Sequence, residues 1–245
     1  MKYRLTFVCG EPVSLPVQHH KILQAALLAW LGNEQYVSFL HNQGYEREKR
    51  TYKLYTFSRI FGRNNQDKKN RKIIFYGKVQ LYVSFYTEES HQMIVQNFLE
   101  KKPLILGNHL LQLYDCELAQ EVYEPCLVDT ASAVTIHSTP QLSDGRKKTY
   151  YYNPWENDFS EMIRQNLVRK YQAFYGEEPK EAAFKIVPDG KMKGTTIYYN
   201  RFVIRGWNGS FRIYGAEEMI KMALLSGIGA RNGIGLGCLL QREIL

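Results

Sequence analysis

GIGARNGIGLG, residues 227–237, sets five glycines at 227, 229, 233, 235 and 237, with an aliphatic residue inside each outer pair and Arg231 between the pairs. Glycine reaches backbone angles closed to other residues and lets another backbone come close, so this run reads as a loop that wraps something. The preceding segment, 216–226, carries Glu217 and Glu218 in a first turn and Met219, Ile220, Ala223 and Leu224 on one helical face. Gly227 therefore falls where a helix C-terminal glycine belongs. Residues 236–244 read as a strand. Helix, loop, strand reverses the order of a dinucleotide or P-loop site, in which the loop leads into a helix N-terminus. That reversal argues against a nucleotide cofactor.

Outward from the loop, the second half of the chain reads as one repeated unit. Residues 122–136 are extended, with Pro125 suggesting an edge or a bulge. A basic turn, Arg146-Lys147-Lys148, and three tyrosines at 150–152 precede a helix over 154–175, which carries Phe159, Ile163, Leu167, Tyr171 and Phe174 at helical spacing. Strands follow at 182–187 and 197–204, and Asn208-Gly209 signals a hairpin turn before 211–214. The first half has the same order. A strand at 2–8 leads to a helix over 17–31 that Gly32 ends, a strand at 52–60, and a basic, Asn-rich loop at 62–71. A long strand at 73–86, a helix at 88–101 and an extended stretch at 104–117 complete it. β-α-β-β-α-β twice over predicts an α+β protein of two tandem ferredoxin-like domains, 1–120 and 121–245, the second holding the 227–237 loop.

Composition bounds the partners. The 245 residues are 44% hydrophobic, ample for folded cores. Between Gly44 and Gln80 lie eleven Lys or Arg against three acids, an excess equal to the whole net charge of +8. A local excess of that size attracts a polyanion, although a basic run can also be a plain solvated surface. The 18 tyrosines and 12 phenylalanines supply cores, and also faces on which unpaired bases stack. Cysteines 9, 116, 126 and 238 are scattered with no C-x-x-C, so they read as reduced thiols of a cytoplasmic protein. Lys2 and Arg4 interrupt the first apolar run, unlike a signal peptide, and no run is long enough for a membrane span.

The spacing G-apolar-G, five residues, G-apolar-G near a C-terminus resembles the glycine-rich loop of the CRISPR-associated RAMP proteins, most closely the endoribonuclease family Cas6. Leu40-His41-Asn42-Gln43-Gly44, with Lys53-Leu54-Tyr55-Thr56-Phe57-Ser58 after it, is similar to that family's His-containing loop and its K-L-F-T-F-S strand. Leu15-Pro16 with Leu23-Gln24 is a third patch in the expected order. The resemblance implies tandem ferredoxin-like domains and a cytoplasmic endoribonuclease that cuts CRISPR precursor RNA within its repeats, without a cofactor. It implies catalytic roles for His41 and Lys53. One position departs from the family: Leu28 stands where many relatives carry a tyrosine on the first helix, and Tyr36 is the available substitute.

The chemistry follows from RNA itself. Its 2′-hydroxyl can attack the adjacent phosphorus once a base takes its proton, the leaving 5′-oxygen needs an acid, and the phosphorane concentrates negative charge. Imidazole suits either proton task, and an ammonium stabilises the charge, giving a 2′,3′-cyclic phosphate and a 5′-hydroxyl. The six histidines lack metal-ligand spacing, and adjacent His19 and His20 are expected to turn their ring planes apart, so no metal site is predicted. Expected RNA contacts are Lys49, Arg50, Lys68, Lys69, Arg71 and Lys72 from the basic segment. Gly229, Arg231, Asn232, Gly233 and Gly235 join them from the loop, which in the resemblance either binds RNA or buttresses the groove between domains. The expected partner is CRISPR repeat RNA. Effector-complex subunits and a second copy of the chain are compatible with the same family, as is the alternative of a RAMP subunit that holds RNA without cutting it.

Overall fold

Tyr3, Leu5 and Phe7 alternate with Arg4 and Thr6, and the strand they form, β1 (Lys2–Cys9), lies inside the first sheet between two neighbours. The computed structural model of the chain describes residues 1–141, 145–200 and 202–242. β2 (Val13–Pro16) leads to α1 (His20–Leu31), which buries Leu23, Ala26, Leu27, Leu28, Trp30 and Leu31 and ends at Gly32 in the left-handed region. A short helix α2 (Glu34–Ser38) runs directly into one turn of π-helix, Phe39–Gln43. β3 (Tyr45–Arg47) and β4 (Arg50–Tyr52) make a small separate hairpin. β5 (Tyr55–Phe57) and β6 (Phe61–Asp67) pair in turn with the long β7 (Lys72–Phe85). α3 (Glu89–Leu99), β8 (Leu104–Leu106) and β9 (His109–Leu118) close this half. Across the sheet the order is β5 and β6, then β7, β1 and β9, all antiparallel, which is the ferredoxin-like order of second, third, first and fourth strand.

The second half repeats it. β10 (Cys126–Thr130) is followed by two short paired strands, β11 (His137–Ser138) and β12 (Tyr150–Tyr151), and by α4 (Asn157–Tyr175). β13 (Phe184–Tyr199), β14 (Phe202–Gly215), α5 (Glu217–Ser226) and β15 (Leu239–Gln241) complete a sheet of order β13-β14-β10-β15. Each sheet has its own core, one centred on Leu5, Phe7, Leu23 and Leu81, the other on Phe159, Ile163, Leu167, Phe211 and the α5 face. The α+β class and the tandem ferredoxin-like architecture are as expected. Among the described residues no helix is long and apolar enough to cross a membrane.

Four local expectations are corrected. Residues 62–71 are not a loop: most of them form β6, whose side chains have no buried face and which is held chiefly by backbone pairing to β7. Asn208-Gly209 is not a turn, because it lies within β14 opposite a register shift between Asp189 and Lys193. The hairpin reverses instead beyond Tyr199, with Asn200 at φ 53. Pro125 precedes β10, which is an interior strand between β14 and β15, so the residue neither marks an edge nor makes a bulge. His19 and His20 hold their rings nearly parallel, at 9° and 6.2 Å between centroids. Positions 243 and 244, the end of the last expected strand, lie outside the described residues.

Candidate active site

The glycine segment lies between the two halves, and its surroundings are built from both. Of its eleven residues only Ala230, Arg231 and Ile234 reach the surface. From the first half, Gln24 Nε2 on α1 and the Tyr55 hydroxyl on β5 both donate to the Gly233 carbonyl, at 2.8 and 2.9 Å. Thr56 Oγ1 donates to the Leu236 carbonyl at 2.8 Å. Tyr199, at the end of β13, donates to Gln24 Oε1 at 2.7 Å, so Gln24 links loop, helix and hairpin. A Cβ on Gly235, which sits at φ 81, would strike the ring of Phe57, so this position requires glycine on both counts.

From the second half comes a residue that sequence reasoning passed over. Lys170 on α4 is buried, and its ammonium lies 2.6 Å from the Gly227 carbonyl, 2.7 Å from Asn232 Oδ1 and 3.2 Å from Ser226 Oγ. These are the carbonyl end of α5 and the middle of the glycine segment, so Lys170 supplies acceptor-rich backbone with the donors it lacks. Burial pulls its pKa down to about 7. Its position on α4 was a signal: Ile163, Leu167, Lys170 and Phe174 fall on one helical stripe, and a lysine there has to find buried acceptors.

Lys53 joins the loop to the end of the turn that carries the histidine. The chain reverses at Gly44, φ 71, directly after the π-turn, where a Cβ would come within 3.0 Å of Lys53 Cδ and 3.1 Å of Thr51 Cγ2. On the other side, a Cβ on Gly233 would lie 3.1 Å from Lys53 Cγ. The half-buried Lys53 stem is thus clasped between the end of the His41 turn and the glycine segment, and burial lowers its pKa. His41 is exposed on the π-turn, with Nδ1 2.8 Å from Asn42 Oδ1; the Asn42 amide in turn donates to Ser38 Oγ at 3.2 Å. A carbonyl acceptor at Nδ1 fixes the proton there and leaves the Nε2 lone pair available.

Other expected residues fall elsewhere. Tyr36 turns its hydroxyl to Thr87 Oγ1 at 2.9 Å, and burial raises its pKa. Leu28 is buried in the first core. Lys49 and Arg50 lie at the β3–β4 turn, at the end of that hairpin away from Lys53, whereas Lys68, Lys69, Arg71 and Lys72 surround the β6–β7 turn. Asn232 does not face outward: both ends of its amide are engaged, with Lys170 and with the carbonyls of Ile228 and Leu236. The N–H of Gly235 bonds the Asn232 carbonyl at 2.8 Å. Of the loop residues expected to meet RNA, Arg231 is the one with a partly exposed side chain, lying over the Phe202 ring at 5.2 Å.

The profile for the family described as CRISPR associated protein Cas6, C-terminal, matches residues 117–240. The chain is 26% identical over 249 residues to "CRISPR-associated endoribonuclease Cas6 1" of Methanocaldococcus jannaschii, covering 99% of this chain and 93% of that protein. It is 24% identical to "CRISPR-associated endoribonuclease Cas6" of Pyrococcus furiosus, covering 91% of this chain and 82% of that one. A solved structure described as "Characterization of a Cas6-related gene from Pyrococcus furiosus" has the same fold, with a TM-score of 0.83 at 20% identity over 100% of this chain and 99% of that one.

Proposed function

The chain belongs to the Cas6 family of CRISPR-associated proteins, and from that premise we propose that it is a metal-independent endoribonuclease cutting CRISPR precursor RNA within its repeats. The observation that carries this reading is the clasp on Lys53, whose stem touches Gly44 of the His41 turn and Gly233 of the glycine segment. The His41 turn and Lys53 thereby meet a segment that lies 180 residues farther along the chain. In this reading His41 Nε2, freed by the Nδ1 contact to Asn42, takes the proton of the attacking 2′-hydroxyl. The Lys53 ammonium stabilises the phosphorane, and the departing 5′-oxygen takes a proton from water and leaves as a hydroxyl. Attack by the RNA's own hydroxyl requires no metal-activated water, and the products are a 2′,3′-cyclic phosphate and a 5′-hydroxyl. Tyr36, with its hydroxyl spent on Thr87 and its pKa raised, is a supporting group at most.

Arg50, Lys49 and Arg231 hold RNA beside the reacting bond, and the β6–β7 turn holds it farther along. Asn232, Gly229, Gly233 and Gly235 we assign to holding the loop's shape rather than to RNA. The substrate is a transcript and the four cysteines are unpaired, which supports a cytoplasmic location. Labelled RNA of the chain's own repeat, incubated with the protein in EDTA, tests the reading. Cutting at one site, with a cyclic phosphate on the upstream product and none after 2′-deoxy substitution there, is expected. A stable complex without cutting would make the chain an RNA-holding subunit instead.

A further inference from the structure

We propose that His137, Arg231 and Arg50 form a subsite for a single RNA phosphate, next to the one that His41 and Lys53 act on. The proposal rests on the endoribonuclease reading and adds to it a residue, His137, that nothing in the family resemblance singled out. Placement comes first. The Ala230 N–H bonds the Thr135 carbonyl at 2.7 Å, so the strand that opens at His137 starts beside the exposed part of the glycine segment. Arg231 follows Ala230 directly, and Arg50 leads out of the β3–β4 turn three residues before Lys53. Because Gly233, two residues past Arg231, packs on Lys53, the cluster is contiguous with the proposed reacting centre.

Charge is the second observation. Burial first, then Arg231 and then Arg50, lowers the pKa of His137, so both guanidinium charges are felt at one imidazole. Neither arginine has a carboxylate partner among the described residues. Arg231 Nε and His137 Nδ1 are buried without any hydrogen-bond partner, while His137 as a whole is only half-buried. An imidazole and a guanidinium on adjoining segments with no acceptor between them, in the field of a second guanidinium at Arg50, make a place that an anion relieves and that a cation or neutral polar group does not. Aromatic rings wall it. Tyr151 lies 5.4 Å from the His137 ring and anchors its hydroxyl on the Val203 carbonyl at 3.0 Å, and Phe202 backs the Arg231 guanidinium. A bidentate guanidinium, a second cation and an imidazole N–H fit the oxygens of one phosphodiester, and the ring faces suit its flanking base.

The test neutralises phosphates one at a time. A set of repeat RNAs, each with one methylphosphonate and all with a 2′-deoxy residue at the cut site, is titrated against the native protein and against the His137→Gln and Arg231→Gln variants. For the native protein, neutralising the phosphate beside the scissile one is expected to weaken binding roughly tenfold. In both variants that particular sensitivity should vanish, while sensitivity at phosphates over the β6–β7 turn persists. Arg50→Gln, on a different element, is the independent third variant, and thermal melts confirm that each is folded. If the variants bind more weakly but keep the full methylphosphonate profile, the subsite is overturned and the endoribonuclease reading stands. If the native protein binds no repeat RNA, both fall.

Discussion

At the scale of single residues the central claim is a division of labour between His41 and Lys53. Loss of a positioned proton-transfer group costs about 10²–10⁴-fold in rate. His41→Ala should lose that much in single-turnover cleavage while its RNA affinity stays near native, because one imidazole contributes little to holding a polyanion. Lys53→Ala should lose rate and some affinity, and Lys53→Arg should recover affinity better than turnover. An unchanged rate for His41→Ala would move catalysis off the π-turn altogether. Asn42→Ala, which removes the acceptor at Nδ1 but leaves the imidazole in place, should slow cleavage less than His41→Ala does.

At the scale of elements, the basic residues that one stretch of sequence offered together are separated by the length of a strand. Tyr55, two residues after Lys53, pairs with Phe85 at one end of β7, and Asp67 pairs with Lys72 at the other. At roughly 3.3 Å per residue that is about 40 Å along the strand, so the β6–β7 turn and the reacting centre meet different nucleotides. Changing Lys68, Lys69, Arg71 and Lys72 to Glu should therefore weaken many RNAs alike and flatten the salt dependence of binding, with the cut position unmoved. Equal affinity at moderate salt would leave that turn a solvated surface. The same elements show where sequence was legible. β7 and α4 declared themselves because one face of each is largely buried, with Val79, Leu81, Val83 and Phe85 alternating on the one and Phe159, Ile163, Leu167 and Tyr171 spaced along the other. β6 did not, since a strand with no buried face carries no period and its pairing is made by backbone groups that composition cannot report. His41 and Lys53 were legible through the motif around them. The clasp on Lys53 was not, because it depends on Gly233, 180 residues farther on, and Lys170 was passed over because nothing in the sequence shows the acceptors it meets.

At the scale of the whole molecule the two halves are joined by buried polar groups, each with a consequence that can be measured. Lys2 on β1 pairs at 2.6 Å with Glu121 in the connection between the sheets, their side chains 0% and 5% exposed. Removing one partner of such a pair strands the other charge, so Glu121→Ala should cost about 3–5 kcal/mol in urea unfolding. Lys170 gives the sharper prediction because its sign with pH is fixed. Burial lowers its pKa from 10.5 to about 7 in the folded protein. Between those two values the unfolded chain binds the proton more tightly than the folded one, and stability from this group therefore rises with pH across that window. Below about 7 both states are protonated and the contribution is flat, as it is again above 10.5 where both are neutral. Lys170→Met removes the titration and leaves the Gly227 carbonyl and Asn232 Oδ1 without their donor, at about 1–3 kcal/mol for each unpaired acceptor. Unfolding of native and variant protein at pH 6.5, 8 and 9.5 should show the native advantage widening as pH rises. A constant advantage would mean that the three acceptors, at Ser226, Gly227 and Asn232, hold the ammonium charged throughout. The same variant should lose cleavage with the glycine segment, since Lys170, Gln24 and Tyr55 fasten that segment from opposite halves and Lys53 is aligned against it.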